Sequence, residues 1–288
     1  MATFTENYVG LDATGLLNKA IANTSSIAQG GWTMHENVKG YGNIRVVDGN
    51  VNLWHDDDGN YTSTGDLDFK AKKVTLGFKK LNHTIAKKDF AVNWEALDLA
   101  VGATGTIQGQ SADAIREECL RIVSRATESE IWTAFAAEAT ADAEVKDVTL
   151  AAITSTNVID ELGKLSVAYA EESNMLGEDV VIYCNPKVVS LYNTALAKQG
   201  NNDSRGFKAD DFEGYRFITS VDIPFADIYM TPKENMHFLI DSSSDLNRFA
   251  ILDQSLVTGA NSVHLVANAS YAASYARGSE LFYGKQGA

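Results

Sequence analysis

From Ser111 to Ala139 the chain runs 29 residues without a glycine or a proline. Nothing in that stretch breaks a helix, and a continuous one would be about 43 Å long at the standard rise. Helices of ordinary globular domains run to about 20 residues, so a chain carrying this one must lay out the rest of its fold along a rod. Ser111 is a capping residue, and Asp113 stands in the first turn, where negative charge suits the dipole. Ile115, Cys119, Ile122, Val123 and Ala126 recur at helical spacing. Thr127-Glu128-Ser129-Glu130 interrupts that stripe, and Ile131, Trp132 and Phe135 resume it. The apolar stripe holds over only part of the length, which is not a coiled-coil heptad. The alternative is two helices broken at residues 127–130.

What precedes the helix is patterned differently. Residues 1–50 show little periodicity beyond a short helical candidate at Leu11, Leu16, Leu17, Ala20 and Ile21. Gly30, Gly31, Gly40, Gly42 and Gly49 punctuate the remainder, with an extended piece at residues 44–47. A segment this weakly patterned needs a surface to lie on, its own body's or a neighbour's. Residues 51–98 read as extended strands with wet faces. Val51, Leu53 and His55 alternate, Asp58-Gly59 is a hairpin signal, and Phe69, Ala71, Val74, Leu76 and Phe78 interleave with lysines. Five aspartates fall between Asp56 and Asp68 and seven lysines between Lys70 and Lys88. Acid on one limb and base on the other suits a hairpin that pairs with itself or with another copy. A solvated sheet face is the plainer reading.

After the helix the pattern becomes compact. Residues 148–154 are an apolar strand candidate, and Val158, Leu162, Leu165 and Tyr169 form a one-sided helical stripe. The run from Val180 to Cys184 reads as a buried strand. Asn185-Pro186 caps and opens the next helix, carried by Val188, Val189, Leu191, Tyr192 and Leu196. Residues 199–210 are a polar loop. Short strands follow at 215–221, 227–230, 237–240, 249–252 and 263–267, which makes the class α+β with a mixed or antiparallel sheet.

Charge and motifs exclude more than they assign. The formal charge of −14 makes nucleic acid a poor default ligand. Cys119 and Cys184 cannot make a disulfide scaffold, and both sit on apolar patterns that predict burial. There is no basic-then-apolar leader at the start and no apolar run long enough to cross a bilayer. Nucleophile-elbow, phosphate-loop and zincin signatures are absent. His35, His55, His83, His237 and His264 lie too far apart in sequence for a local metal pair. Asp56, Asp58 and Asn60 imitate a calcium loop, but Tyr61 and Leu67 stand where glycine and the closing acid are required. Glu117, Glu118, Glu128 and Glu130 read as a solvated helix face. Trp32, Trp54, Trp94 and Trp132 are split between contact surface and core anchor. No catalytic, cofactor-binding or metal-ligating residue is assigned.

The order of elements, with the run from Val180 to Tyr192 and the closing segment 263–284, resembles the major capsid protein of tailed bacteriophages, a fold shared with encapsulins. The resemblance implies an N-terminal arm (1–50), an extended β-hairpin loop with peripheral-domain strands (51–98), a peripheral domain with the spine helix (99–155), an axial domain (156–262) and closing strands (263–288). It further implies a non-enzymatic shell protein that assembles through pentamers and hexamers around double-stranded DNA. Its residence would be the virion capsid, assembled in the host cytoplasm, with no cofactor and no membrane. Implied partners are other copies, a separate scaffolding protein (because the arm starts almost at Met1), a portal and a decoration protein, with packaged DNA touched non-specifically at most. Some relatives crosslink a loop lysine to a neighbour's asparagine; no such pair is singled out here. On this reading the first 98 residues rest on sister copies rather than on their own body. The alternatives are an encapsulin-like compartment shell, another virion component such as a tail-tube or decoration protein, and an α/β enzyme built around Cys184 and a histidine.

Overall fold

The computed structural model describes residues 21, 24–49, 67–86, 109–173, 179–198, 211–241, 248–253 and 262–286. The Gly- and Pro-free stretch is one helix, α2 (Gly109–Ala141), of 33 residues. A short helix α1 (Ser25–Ala28) and strand β1 (Thr33–His35) precede a two-stranded antiparallel unit of β2 (Tyr41–Gly49) and β3 (Leu67–Thr75). Strand β4 (Gly77–Ala86) follows β3 after a single residue, Leu76.

α2 does not break at residues 127–130, because the polar interruption turns inward. Thr127 and Glu128 are buried. Glu128 accepts hydrogen bonds from the Trp132 indole at 2.8 Å, the Ser26 amide at 3.2 Å and the Ser26 hydroxyl at 3.1 Å. A buried carboxylate is tolerable only with its lone pairs occupied in this way. The sequence reading of Glu128 as part of a solvated face is therefore corrected.

Two sheets flank the helix. In the first, β12 (Ser262–Tyr275) carries β10 (Met236–Ile240) and β11 (Arg248–Asp253) one after the other along one edge and β4 along the opposite edge, with β1 outside β10. β4 and β12 pair antiparallel from Gly77 opposite Tyr271 to Ala86 opposite Ser262. In the second, the order is β5 (Lys146–Leu150), β13 (Phe282–Gln286), β9 (Asp227–Pro232), β6 (Val180–Cys184), β8 (Tyr215–Thr219) and β7 (Asp211–Phe212). Alternation splits this sheet between two cores. Val181, Tyr183, Ile218, Tyr229 and Tyr283 face the core that contains Trp132 and Phe135 of α2. Val180, Ile182, Cys184, Ile228, Met230 and Phe282 face α3 (Val158–Glu172) and α4 (Pro186–Lys198). α4 begins as its sequence predicts: Asn185 Oδ1 accepts from the Lys187 amide at 3.0 Å, while its Nδ2 donates to Ile223 O at 2.8 Å.

The expectation that residues 1–98 rest on sister copies is overturned for residues 24–35, which pack on their own body, whereas the outer face of β2–β3 stays exposed. Ile27 and Trp32 are buried in the first core. Trp32 packs on Trp132 at 5.6 Å and donates its indole N–H to Ser26 Oγ at 3.0 Å. Gln29 pairs with the backbone of Thr219 in both directions, at 2.8 and 2.9 Å. Trp32 and Trp132 are thus core anchors, not contact surface. The physical reason is area: Trp32 leaves water against Trp132 of α2, and the donors of Ser26 and Trp132 offset the cost of burying Glu128. The strand expected at 51–55, the Asp58-Gly59 turn, the calcium-like run, His55, Trp54, Trp94 and the loop 199–210 lie outside the described residues.

Candidate interaction surface

The β2–β3 unit has two unlike faces, and its register fixes them. Residues directly opposite share a face. Gly42 with Val74, Ile44 with Lys72 and Val46 with Lys70 point toward the body. Ile44, Val74 and Leu76 bury there against Leu239. Gly42 allows this approach, since a Cβ at that position would fall 2.2 Å from Leu239 Cδ2. On the outer face stand Tyr41 with Thr75, Asn43 with Lys73, Arg45 with Ala71, and Val47 with Phe69, followed by Leu67. All nine are exposed. Phe69 shows 75% of its surface, Tyr41 53%, Leu67 48% and Val47 47%. This face carries no carboxylate in a chain of net charge −14; its charged groups are Arg45 and Lys73. Lys73 lies 4.5 Å over the Tyr41 ring.

The lysine cluster serves the chain itself more than expected. Lys72 Nζ meets Glu138 at 2.5 Å and sits 3.6 Å over the Tyr275 ring, Lys79 meets Glu130 at 2.9 Å, and Lys70 meets Glu144 at 3.9 Å. These pairs tie β3 and β4 to α2 through Glu138 and Glu130 and to the turn after it through Glu144. Asp68 is a further partner of Lys70, at 3.8 Å. Each pair is half-exposed and worth at most about 1 kcal/mol alone; their alignment orients the strands. Beside them, α2, β4 and β12 form a groove of about 240 Å³ with an apolar floor that includes Leu81, Ile122 and Val123 and a rim that carries Lys79, Lys80 and Glu130. Ile122 remains 46% exposed at its edge.

The groups considered for chemistry are placed otherwise. Cys184 is fully buried, and burial pushes its thiol up to about 12. Cys119 is buried in the first core, and burial, with Glu118 second, raises its thiol too. Glu118 pairs with Arg121 at 2.5 Å on the surface of α2. His35 and His237, 202 residues apart, meet at 2.9 Å; burial first, and His35 second, push His237 down to about 4. Among the described residues no group of three or more His, Cys, Asp or Glu side chains is placed to hold a metal. No helix among them is long and apolar enough to cross a membrane.

Comparison with solved structures decides the architecture. The capsid of cyanophage P-SCSP1u superposes with a TM-score of 0.61 at 11% identity, covering 100% of this chain and 93% of that one. The chain has the fold of phage capsid subunits. The same capsid fold is found in the mature capsid of bacteriophage PhiM1 (TM-score 0.53, 14% identity, 90% of this chain and 86% of that one). The virus-like particle from Pyrococcus furiosus matches too, with a TM-score of 0.58 at 12% identity over 94% of this chain and 96% of that one. No protein-family model and no curated protein matches the sequence. The likeness thus lies in the capsid fold's order of elements, while side chains have diverged.

Proposed function

We propose that this protein is the major capsid protein of a tailed phage, assembling through pentamers and hexamers into an icosahedral shell around double-stranded DNA. The observation that carries the reading is the outer face of β2–β3: four large apolar side chains and two cations, all exposed, with no acid among them. A face of this kind on an acidic protein is matched by a second copy's surface. The apolar floor of the groove beside Ile122 offers a seat for the large side chains of that face. It lies about 24 Å along α2 from Glu138, where the root of the β2–β3 unit is tied. A face and a groove at separate places on one chain suit a head-to-tail contact, which closes into the pentamers and hexamers of this reading when the rotation between copies is one fifth or one sixth of a turn.

On this reading residues 1–50 are the arm, 51–98 the extended loop with peripheral strands, 99–155 the peripheral domain, 156–262 the axial domain and 263–288 the closing strands. The protein resides in the virion capsid after assembly in the host cytoplasm, and works without catalysis. Scaffolding, portal and decoration proteins are its further partners.

The test is assembly. Purified chain, alone and with its candidate scaffold, is followed by gel filtration and negative-stain microscopy. Closed particles are expected, and Phe69→Asp should abolish them while leaving the far-UV spectrum unchanged. A compact monomer under every assembly condition would refute the proposal. Nucleic acid inside particles recovered from infected cells separates a genome shell from a compartment holding protein cargo.

A further inference from the structure

We propose that His35 and His237 form a two-imidazole site for a divalent metal of the copper and nickel class, clamping β1 to the sheet. The proposal is independent of the shell reading. β1 is the weakest strand of its sheet, three residues long and paired in parallel with β10 through Thr33 opposite His237 and His35 opposite Leu239. This register sets the two rings side by side, with centroids 5.0 Å apart and planes inclined by 40°. His35 Nε2 and His237 Nδ1 stand 2.9 Å apart.

Two imidazole nitrogens at that distance cannot both present lone pairs without a cation between them. A shared proton fills the place in the metal-free protein, with one ring donating to the other. No salt bridge among the described residues joins either ring to a carboxylate. A metal is the other cation that suits two neutral nitrogens, and imidazole favours zinc, copper and nickel over magnesium and calcium. With metal–nitrogen bonds of about 2.05 Å, two donors at a right angle stand about 2.9 Å apart, and two at the tetrahedral angle about 3.3 Å. The observed 2.9 Å is the length of the shared-proton hydrogen bond and lies within a small turn of the exposed ring from either bite, so the affinity order of divalent metals for imidazole, rising through nickel to copper, sets the class. Water completes the coordination. The exposed His35 ring is free to turn its lone pair onto the ion, while His237, half-buried, supplies the fixed donor.

The test uses the untagged full-length chain near pH 7.5, titrated calorimetrically with nickel chloride, with magnesium chloride as control. One nickel per chain is expected and no magnesium. His35→Gln and His237→Gln should each weaken binding about tenfold or more, since even outer partners of a metal ligand cost that much. His264→Gln should leave it unchanged. Amide exchange at Thr33, Met34 and His35 should slow by about 100-fold at a nickel concentration of 100 Kd. No uptake, or equal affinity in the His35→Gln protein, would overturn the proposal. His35 is exposed, so that variant decides the matter even if His237→Gln misfolds.

Discussion

Glu128→Ala should destabilise the folded chain by about 3 kcal/mol. The carboxylate receives the Trp132 indole N–H, the Ser26 amide and the Ser26 hydroxyl, all in a buried setting. Removing it orphans three donors at about 1–3 kcal/mol each, and water entering the vacated space recovers part of that sum. Glu128→Gln keeps the oxygen that accepts from Trp132 and from the Ser26 amide but turns an amide N–H₂ toward the Ser26 hydroxyl, for a loss of about 1 kcal/mol. Against a total stability of about 5–15 kcal/mol, the alanine change is large. Urea titration followed by tryptophan fluorescence is the fitting assay, because Trp32 and Trp132 both belong to the cluster. Ser26→Ala in the same background closes a double-mutant cycle, with a coupling of about 1 kcal/mol or more expected. A Glu128→Ala loss within about 0.5 kcal/mol of zero, or strictly additive losses in the cycle, would show that the network does not hold α1 to α2.

The lysines should divide into two classes. Lys72→Glu with Lys79→Glu sets like charges against Glu138 and Glu130 and should lower the urea midpoint, whereas Lys73→Glu with Lys80→Glu should leave the midpoint unchanged and cut particle yield. Equal midpoints for the two pairs would contradict the assignment. Gly31→Ala should cost about 2 kcal/mol by overpacking, because its new Cβ would stand 2.9 Å from both Ile218 Cδ1 and Tyr183 Cε1 and 3.0 Å from the Ser26 carbonyl; calorimetry reads the lowered Tm. Cys184, raised to about 12, stays a protonated thiol at pH 8, so iodoacetamide should leave it unmodified in native protein and label it in urea, as mass spectrometry of its peptide would report. Rapid native labelling would revive a nucleophilic role.

The elements with strong local signals were readable before any coordinates. The strand at 180–184 and the helix opened by Asn185-Pro186 stand where a short apolar run and a capping pair put them. α2 was readable as helical, but the choice between one rod and two helices broken at residues 127–130 rested on burial of Thr127 and Glu128 that only the fold shows. The role of Glu128 was not readable: its partner Ser26 lies 102 residues away, and an acid on a helix is ordinarily solvated. The docking of Trp32 and Gln29 was hidden for the same reason, since both act across long separations on α2 and β8. The outer face of β2–β3 was half legible. Alternation in the sequence showed the apolar and basic residues, but only the register revealed a face without acids.

Strand β12 has β4 along one edge and β10 and β11 along the other, so one late segment welds together pieces translated far apart. The partner of Gly77 is Tyr271. During synthesis, β4 therefore waits with an open edge until nearly the whole polypeptide has left the ribosome. Such non-local closure is slow and leaves a sticky intermediate. The closing of β12 onto β4 thus sets how many chains escape aggregation on the way to the folded state.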